Sequence, residues 1–337
     1  MALSPQIEAS PKPEWPCVDH LLLLVGSNPL PNAVAALLLT CPGGKVHLLY
    51  SDATADTADR LCAWLVNARG LDVALVGPVA EADPCNVASV VSAWVDGLGG
   101  VDQRCGTATI GLHYTGGTKV MAVQSDRTLS GRLAHTSYLD SQTRVLYVDA
   151  ADPDGDDKDT VIPVGQAVDL SLGDIGSLHG LAQLAWLPVV PSGNRHLRPV
   201  WDALDELGIP ATRRGCVVRA SPTTTARRTV CDVAAVVGYQ LFAFVCPQGN
   251  RDHANLKIEL FACIERARRI GGDEARAALV CPVGHGSPTL LEEEMVSDFN
   301  ELKQAFGIHP YKAFANDENL KDSIKAWISG EVNRGDV

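Results

Sequence analysis

Apolar positions in this chain fall into short unbroken runs separated by segments with helical spacing. His20 to Val25 reads as a strand, and the loop Gly26-Ser27-Asn28-Pro29-Leu30-Pro31-Asn32 leads into a helical run from Ala33 to Leu39. Lys45 to Tyr50 and Leu71 to Val76 repeat the strand pattern on either side of an amphipathic helix, Asp56 to Asn67, with Leu61 and Leu65 on one face. Val87 to Trp94 then predicts a helix, Thr107 to Leu112 a strand, Lys119 to Leu129 a helix and Arg144 to Val148 a strand. Strands that are apolar throughout and alternate with helices predict a parallel sheet covered on both faces. Ligands of such sheets bind beyond the carboxyl ends of the strands, which is where the 26–32 loop and the 113–118 turn both lie.

A second pattern follows. Val161 to Leu172 looks extended, Asp174 is placed to cap a short helix, and Pro188 to Asn194 has linker composition. Arg195 to Leu207 predicts an amphipathic helix ended by Gly208, and Cys216 to Arg219 a short strand. Val230 to Val237 and Gln240 to Cys246 predict a hairpin around Gly238-Tyr239. A long helix, Leu256 to Ile270, closes at Gly271-Gly272, and Ala277 to Cys281 and Leu290 to Phe306 add a strand and a helix. The expected division is a polar N-terminus at 1–17, a first α/β domain at 18–187 and a second at 195–330.

The segment with the clearest chemistry is His113-Tyr114-Thr115-Gly116-Gly117-Thr118-Lys119, which joins a strand to a helix. The backbone N–H groups of 115–118 converge at a helix N-terminus, Gly116 and Gly117 permit positive φ and close ligand approach, and Lys119 adds a charge. That is an anion-binding turn; a glycine turn whose threonines only cap the helix reads equally well. The acidic run Asp152 to Asp159 lacks the glycine and terminal glutamate of a calcium loop and is read as a solvated turn.

With 337 residues, of which 46% are hydrophobic and 20% charged, the chain has room for two cores. It shows neither a signal-peptide pattern nor an apolar run of membrane-spanning length, so a soluble, cytoplasmic protein with no membrane partner is expected. A net charge of −12 argues against a broadly basic nucleic-acid surface. The local pairs Arg213-Arg214 and Arg227-Arg228 remain the candidate basic path for a nucleic acid. The 10 cysteines show no CxxC or CxH spacing, so buried free thiols are expected rather than a metal site or a disulfide framework. No cofactor is expected.

The turn 113–119 together with the 26–32 loop resembles the ligand turn of CRISPR-associated Rossmann-fold (CARF) domains, which bind cyclic oligoadenylates. The stretch Asp232 to Cys281 looks like the restriction-endonuclease-like domain fused to CARF domains in two-domain effectors. The resemblance covers most of residues 18–285 and implies a Rossmann-like (CARF-type) parallel-sheet domain followed by a degenerate PD-(D/E)xK nuclease-like α/β domain. A nuclease of that type needs clustered carboxylates for a divalent metal and a lysine beside the phosphate. Asp232 stands at the strand aspartate, but Val230, Val245 and Pro247 occupy the positions of the other acidic residues and the lysine. Nuclease chemistry is therefore not expected unless Lys257 and Glu259 have taken over.

The altered architecture is also similar to fungal arginine-containing cyclodipeptide synthases. That resemblance implies condensation of arginyl-tRNA with a second aminoacyl-tRNA to a cyclo-Arg-Xaa diketopiperazine; the alternative is a cyclic oligoadenylate sensor or effector, either with an inactive or altered nuclease domain or with ring-nuclease activity in the first domain. On the synthase reading Thr115, Thr118, Lys119 and Asp232 are the expected catalytic groups. Ser27, Asn28, Asn32, His113, Tyr114, Gly116, Gly117 and Asp140 would line the substrate site, Asp140 or Asp232 pairing with arginine. Arg213, Arg214, Arg227 and Arg228 would carry tRNA. CARF domains commonly pair about a two-fold axis, so a homodimer is implied.

Overall fold

The computed structural model describes residues 15–98, 108–141, 143–150, 159–165, 167–181, 184–187, 197–220, 227–247, 252–281 and 311–332, together with Pro288, Thr289, Leu291 and Glu293; the strand segments 184–187, 218–220 and 227–230 are described by their backbone alone. The acidic run 152–158, the linker 188–194 and nearly all of the helix expected at 290–306 lie outside these residues.

The first sheet contains β1 (Val18–Leu24), β2 (Thr40–Ser51), β3 (Asp72–Val79), β4 (Ile110–His113), β5 (Leu133–Asp140), β6 (Val145–Ala150) and β7 (Thr160–Pro163) in the order β3-β2-β1-β4-β5-β6-β7. Its first five strands are parallel, as the apolar runs in β1 to β4 predict, and are linked by α1 (Leu30–Leu39), α2 (Ala55–Arg69), α3 (Pro84–Gly97) and α4 (Lys119–Leu129); β5, whose residues alternate between buried and half-exposed, is not among the expected strands. The expectation of a sheet parallel throughout and covered on both faces fails at β6 and β7, which run antiparallel. The connection 141–144 is too short for a crossover and can only fold back as a hairpin. Among the described residues no helix covers one face of β5–β7, and Tyr138, Tyr147 and Val161 are exposed in adjacent register positions across it.

The second sheet runs β13-β12-β11-β10-β9-β8, built from β8 (Leu184–Leu187), β9 (Arg214–Ala220), β10 (Arg227–Val237), β11 (Gln240–Val245), β12 (Arg276–Val280) and β13 (Tyr311–Phe314). Strand β8 joins it from before the linker expected between the domains. The predicted hairpin is present as the antiparallel pair β10–β11. Helices α5 (Leu172–Leu178), α6 (Arg198–Glu206), α7 (His253–Gly271) and α8 (Leu320–Val332) complete the described elements. Gly272, at φ 71°, ends α7 and donates its N–H to Arg268 O at 2.9 Å.

Three apolar clusters follow from this layering. Leu22, Leu24, Leu112, Val87, Val91 and Met121 pack one face of the first sheet under α3 and α4. Phe242, Phe244, Leu204 and Ile324 pack one face of the second sheet under α6 and α8. The third cluster spans both domains, with Leu23, Leu48, Leu61 and Ile162 from the first and Val236, Leu241, Leu260 and Leu279 from the second. The two domains are therefore joined by shared core rather than by a tether, and the 26–32 loop lies on that junction.

Cys17 and Cys41 form a disulfide, which corrects the expectation of free thiols throughout. It pins the start of β1 to the start of β2, residues far apart in sequence whose proximity only the parallel pairing creates. Cys62, Cys85, Cys216, Cys231, Cys246, Cys263 and Cys281 are free, the last five of them buried. No helix among the described residues is long and apolar enough to cross a membrane.

Candidate functional site

Strands β1 and β4 lie side by side in parallel, so their carboxyl ends bring the 26–32 loop against the 113–118 turn. The approach is close enough to require glycine. A Cβ on Gly116 would stand 2.2 Å from Leu24 O and 2.8 Å from Gly26 N, and one on Gly26 would stand 3.2 Å from Gly117 N. Gly117 adopts φ 73°, the left-handed region that a glycine enters freely.

The two helices that start here differ in their capacity for an anion. At α1, Pro29 and Pro31 have no N–H, and Leu30 donates its own to Asn28 Oδ1 at 3.2 Å. That terminus is short of donors. At α4, Thr118 caps by accepting from Met121 N at 3.2 Å, while the N–H groups of Lys119 and Val120 face out of the first turn without intrahelical acceptors. Lys119 is exposed beside them. An anionic group is thus directed to Gly117–Val120, with the exposed Ser27 on the facing loop.

Both threonine hydroxyls are engaged in hydrogen bonds within the protein. Thr115 Oγ1 accepts from Leu139 N at 2.6 Å, tying the turn to β5, and Thr118 Oγ1 donates to Glu81 O at 3.0 Å besides capping α4. Glu81 also accepts from Ser51 Oγ at 2.5 Å, so the ends of β2 and β3 are bound into the same rim. The sequence reading included neither Ser51 nor Glu81, since no spacing marks two residues joined only through strand order. His113 is fully buried within the sheet behind the turn, 3.0 Å from Ser137 Oγ. Burial, helped by nearby His135, lowers its pKa to about 3, which leaves it a neutral and weak base. Asn32 is buried as well and donates to Leu24 O at 3.0 Å.

Tyr114 leaves the turn and stacks on Tyr138 of β5, ring centroids 5.8 Å apart and planes 25° apart, with 39% and 40% of their surfaces exposed. Burial and the Asp149 carboxylate push the Tyr114 phenol above its ordinary pKa, so it remains neutral. Tyr138 carried no signal in the sequence, because its partnership depends on the register of β4 against β5. An exposed aromatic pair next to an open helix N-terminus has the chemistry to face a planar ring carrying a phosphate.

The other expected residues are not gathered at this turn. Asn28 points away from it and donates through Nδ2 to Glu274 Oε2 of the second domain at 2.7 Å. Asp140 lies near Tyr239, whose phenol it helps to raise. Arg213 pairs with Asp169 at 2.6 Å, and Arg214 pairs with Asp205 and covers Trp201 at 4.8 Å. The side chains of Arg227 and Arg228 fall outside the described residues. Asp232 sits on β10 and accepts from Cys246 N at 2.8 Å. Burial raises its pKa, opposed by the Cys246 bond and Arg266 and assisted by Glu259. No group of three or more His, Cys, Asp or Glu among the described residues could hold a metal ion.

This topology has close counterparts among solved structures. Protein VC1899 from Vibrio cholerae superposes with a TM-score of 0.63 at 12% identity, covering 94% of this chain and 98% of that one. Can2 from Sulfobacillus thermosulfidooxidans, solved in complex with cyclic tetra-adenylate, gives 0.61 at 10% identity over 94% and 97%. The chain shares the overall fold of these two structures: a Rossmann-like α/β domain with a parallel-rich sheet, followed by a second α/β domain. The sequence matches no protein-family model and no curated protein sequence. Neither structural counterpart supports the cyclodipeptide synthase resemblance, and both match this chain's fold over 94% of its length.

Proposed function

We propose that the CARF-type domain binds a nucleotide of the cyclic oligoadenylate class and that the nuclease-like domain responds without cutting through a metal centre at Asp232. The observation that carries this reading is the exposed Tyr114–Tyr138 stack placed beside the open N-terminus of α4. One feature offers a face to a base, and the other offers donors and the Lys119 charge to a phosphate. The Can2 complex with cyclic tetra-adenylate supports the ligand class. A homodimer about a two-fold axis would set two such turns around one cyclic ligand.

Isothermal titration of the full chain with cyclic tetra-adenylate is expected to show saturable binding. Lys119→Ala should weaken it about tenfold, since a charge-assisted contact to phosphate contributes roughly 1.5–3 kcal/mol. Unchanged affinity in that variant would place the phosphate elsewhere. The loss should be smaller in high salt, where the wild-type contact is itself screened.

A second reading is a tRNA-dependent cyclodipeptide synthase, with arginyl-tRNA and a second aminoacyl-tRNA as substrates. It rests on the sequence resemblance alone, since the replacement of the expected acidic residues and lysine by Val230, Val245 and Pro247 disfavours a nuclease without pointing to peptide synthesis. The same turn would then hold a tRNA terminal phosphate or a tetrahedral oxyanion. Mass spectrometry of a heterologous host separates the two. Cyclo-Arg-Xaa products from a protein that binds no oligoadenylate would replace the first reading.

A further inference from the structure

Asn28 belongs to the ligand loop in sequence and to the domain junction in space. Its Oδ1 accepts from Leu30 N and fixes the loop's turn, while its Nδ2 donates at 2.7 Å to Glu274, a carboxyl that is 1% exposed. The contact leaves no slack, because a Cβ on Gly272 would stand 2.7 Å from Asn28 Oδ1. Glu274 is held from behind as well. Its carbonyl accepts from Gln240 Nε2 at 2.7 Å and from Arg276 Nη1 at 2.8 Å. Gln240 in turn accepts from Arg144 Nη1 of the first domain at 3.0 Å, and Arg276 pairs with Glu331 of α8.

We propose that the Asn28–Glu274 pair is a proton-gated latch: with Glu274 neutral it holds loop 26–28 against the second domain, and ionisation of Glu274 releases the loop and weakens ligand binding at the turn. The inference concerns regulation of the site proposed above, and its ligand arm rests on that reading.

The groups facing Glu274 favour a proton near neutrality. Burial is the largest influence and disfavours the carboxylate; the Asn28 bond and Arg276 favour it, and Asp273 opposes it, leaving the pKa near 7 rather than 4.5. Asp273 is paired with Arg268 of α7, and it also acts on His179, which caps the C-terminus of α5. Tyr239, buried on the hairpin side, feels Glu274, Arg144, Arg276 and Asp140 and is pushed well above the usual phenol range, so it stays neutral. Among the described residues, the cation that acts on Glu274 is Arg276, which is already paired with Glu331, so an ionised Glu274 would share its counter-charge. Hydrating that carboxylate requires the loop to move. The neutral acid retains an acceptor oxygen for the Asn28 amide, so protonation relieves the burial cost of the closed junction without breaking the bond. By linkage, the closed arrangement gains population as pH falls through 7 and reaches its limit below the pKa of the hydrated group.

Two measurements on the full chain test this. In the ligand-free protein, the backbone amide resonances of Ser27 and Asn28 should titrate with a midpoint near neutrality. Glu274→Gln should hold them at their low-pH positions, and Asn28→Asp, which sets a second carboxylate against Glu274, should raise the midpoint. Flat resonances in the wild type, or the same titration in Glu274→Gln, would overturn the latch. With cyclic tetra-adenylate, wild-type affinity should fall about tenfold from pH 6 to pH 8, and Glu274→Gln affinity should stay level. Equal pH dependence in both would also overturn it. If the wild type binds no oligoadenylate at either pH while the resonances titrate as stated, the ligand reading fails and the latch stands.

Discussion

Glu331→Ala is expected to cost the protein about 3–5 kcal/mol of folding stability, the usual penalty for stranding a buried charge. Glu331 Oε2 lies 2.7 Å from Arg276 Nε, and the two side chains are 2% and 1% exposed. Among the described residues, Arg276 keeps only the carbonyls of Glu274 and Ala275 when the carboxylate is removed, and neutral acceptors do not replace a counter-ion. The measurement is urea denaturation, where the midpoint should fall without a change in slope if the native fold survives. Arg276→Met combined with Glu331→Leu should recover most of the loss, because removing both charges abolishes the desolvation cost with the interaction. A loss below about 1 kcal/mol in the single variant would mean that water reaches the guanidinium. Its site reports on the junction too, since Arg276 also holds the Glu274 carbonyl behind the ligand loop.

What the sequence made legible divides along physical lines. Local patterns identified β1, β4, α4, the β10–β11 hairpin and α7, because each carries its own signal: an unbroken apolar run, a glycine turn before a helical period, or paired strands about Gly238-Tyr239. The closeness of Gly26 to Gly116 and Gly117 followed from placing two loops at the carboxyl ends of a parallel sheet. Contacts set by strand order were invisible. Tyr138, Ser51 and Glu81 reach the rim only through register, and the Cys17–Cys41 disulfide depends on β1 pairing with β2. Asn28 was expected at the substrate, and its tie to Glu274 needs the packing of two domains to be known. Antiparallel β6 could have been anticipated from the short stretch between Asp140 and Val145, too brief for a crossover. Strand β13 and helix α8 follow a segment whose spacing gave no reading beyond Phe306, so the Glu331 partner of Arg276 had no place in the expected core.

Gly116→Ala should abolish ligand binding at the turn in practice, by roughly 100-fold or more, while leaving a folded protein. The added methyl would stand 2.2 Å from Leu24 O and 2.8 Å from Gly26 N, both backbone atoms, so no side-chain rotation can relieve the clash. Loop 26–32 and turn 113–118 must separate. Two charge-assisted contacts to phosphate lost at roughly 1.5 kcal/mol each already amount to more than 100-fold in affinity. Overpacking of this kind costs about 1–3 kcal/mol of stability, and circular dichroism with a thermal melt would show whether the variant remains folded. Gly97→Ala is the control, because a Cβ there meets nothing within 4 Å and Gly97 lies at the end of α3. It should bind as the wild type does and melt no earlier, since alanine restricts the unfolded chain. Binding retained in a folded Gly116→Ala protein would mean that the ligand does not depend on the close approach of the two loops. Binding lost only with the fold would show the glycine to be structural, and Lys119→Ala would then decide whether the turn holds phosphate.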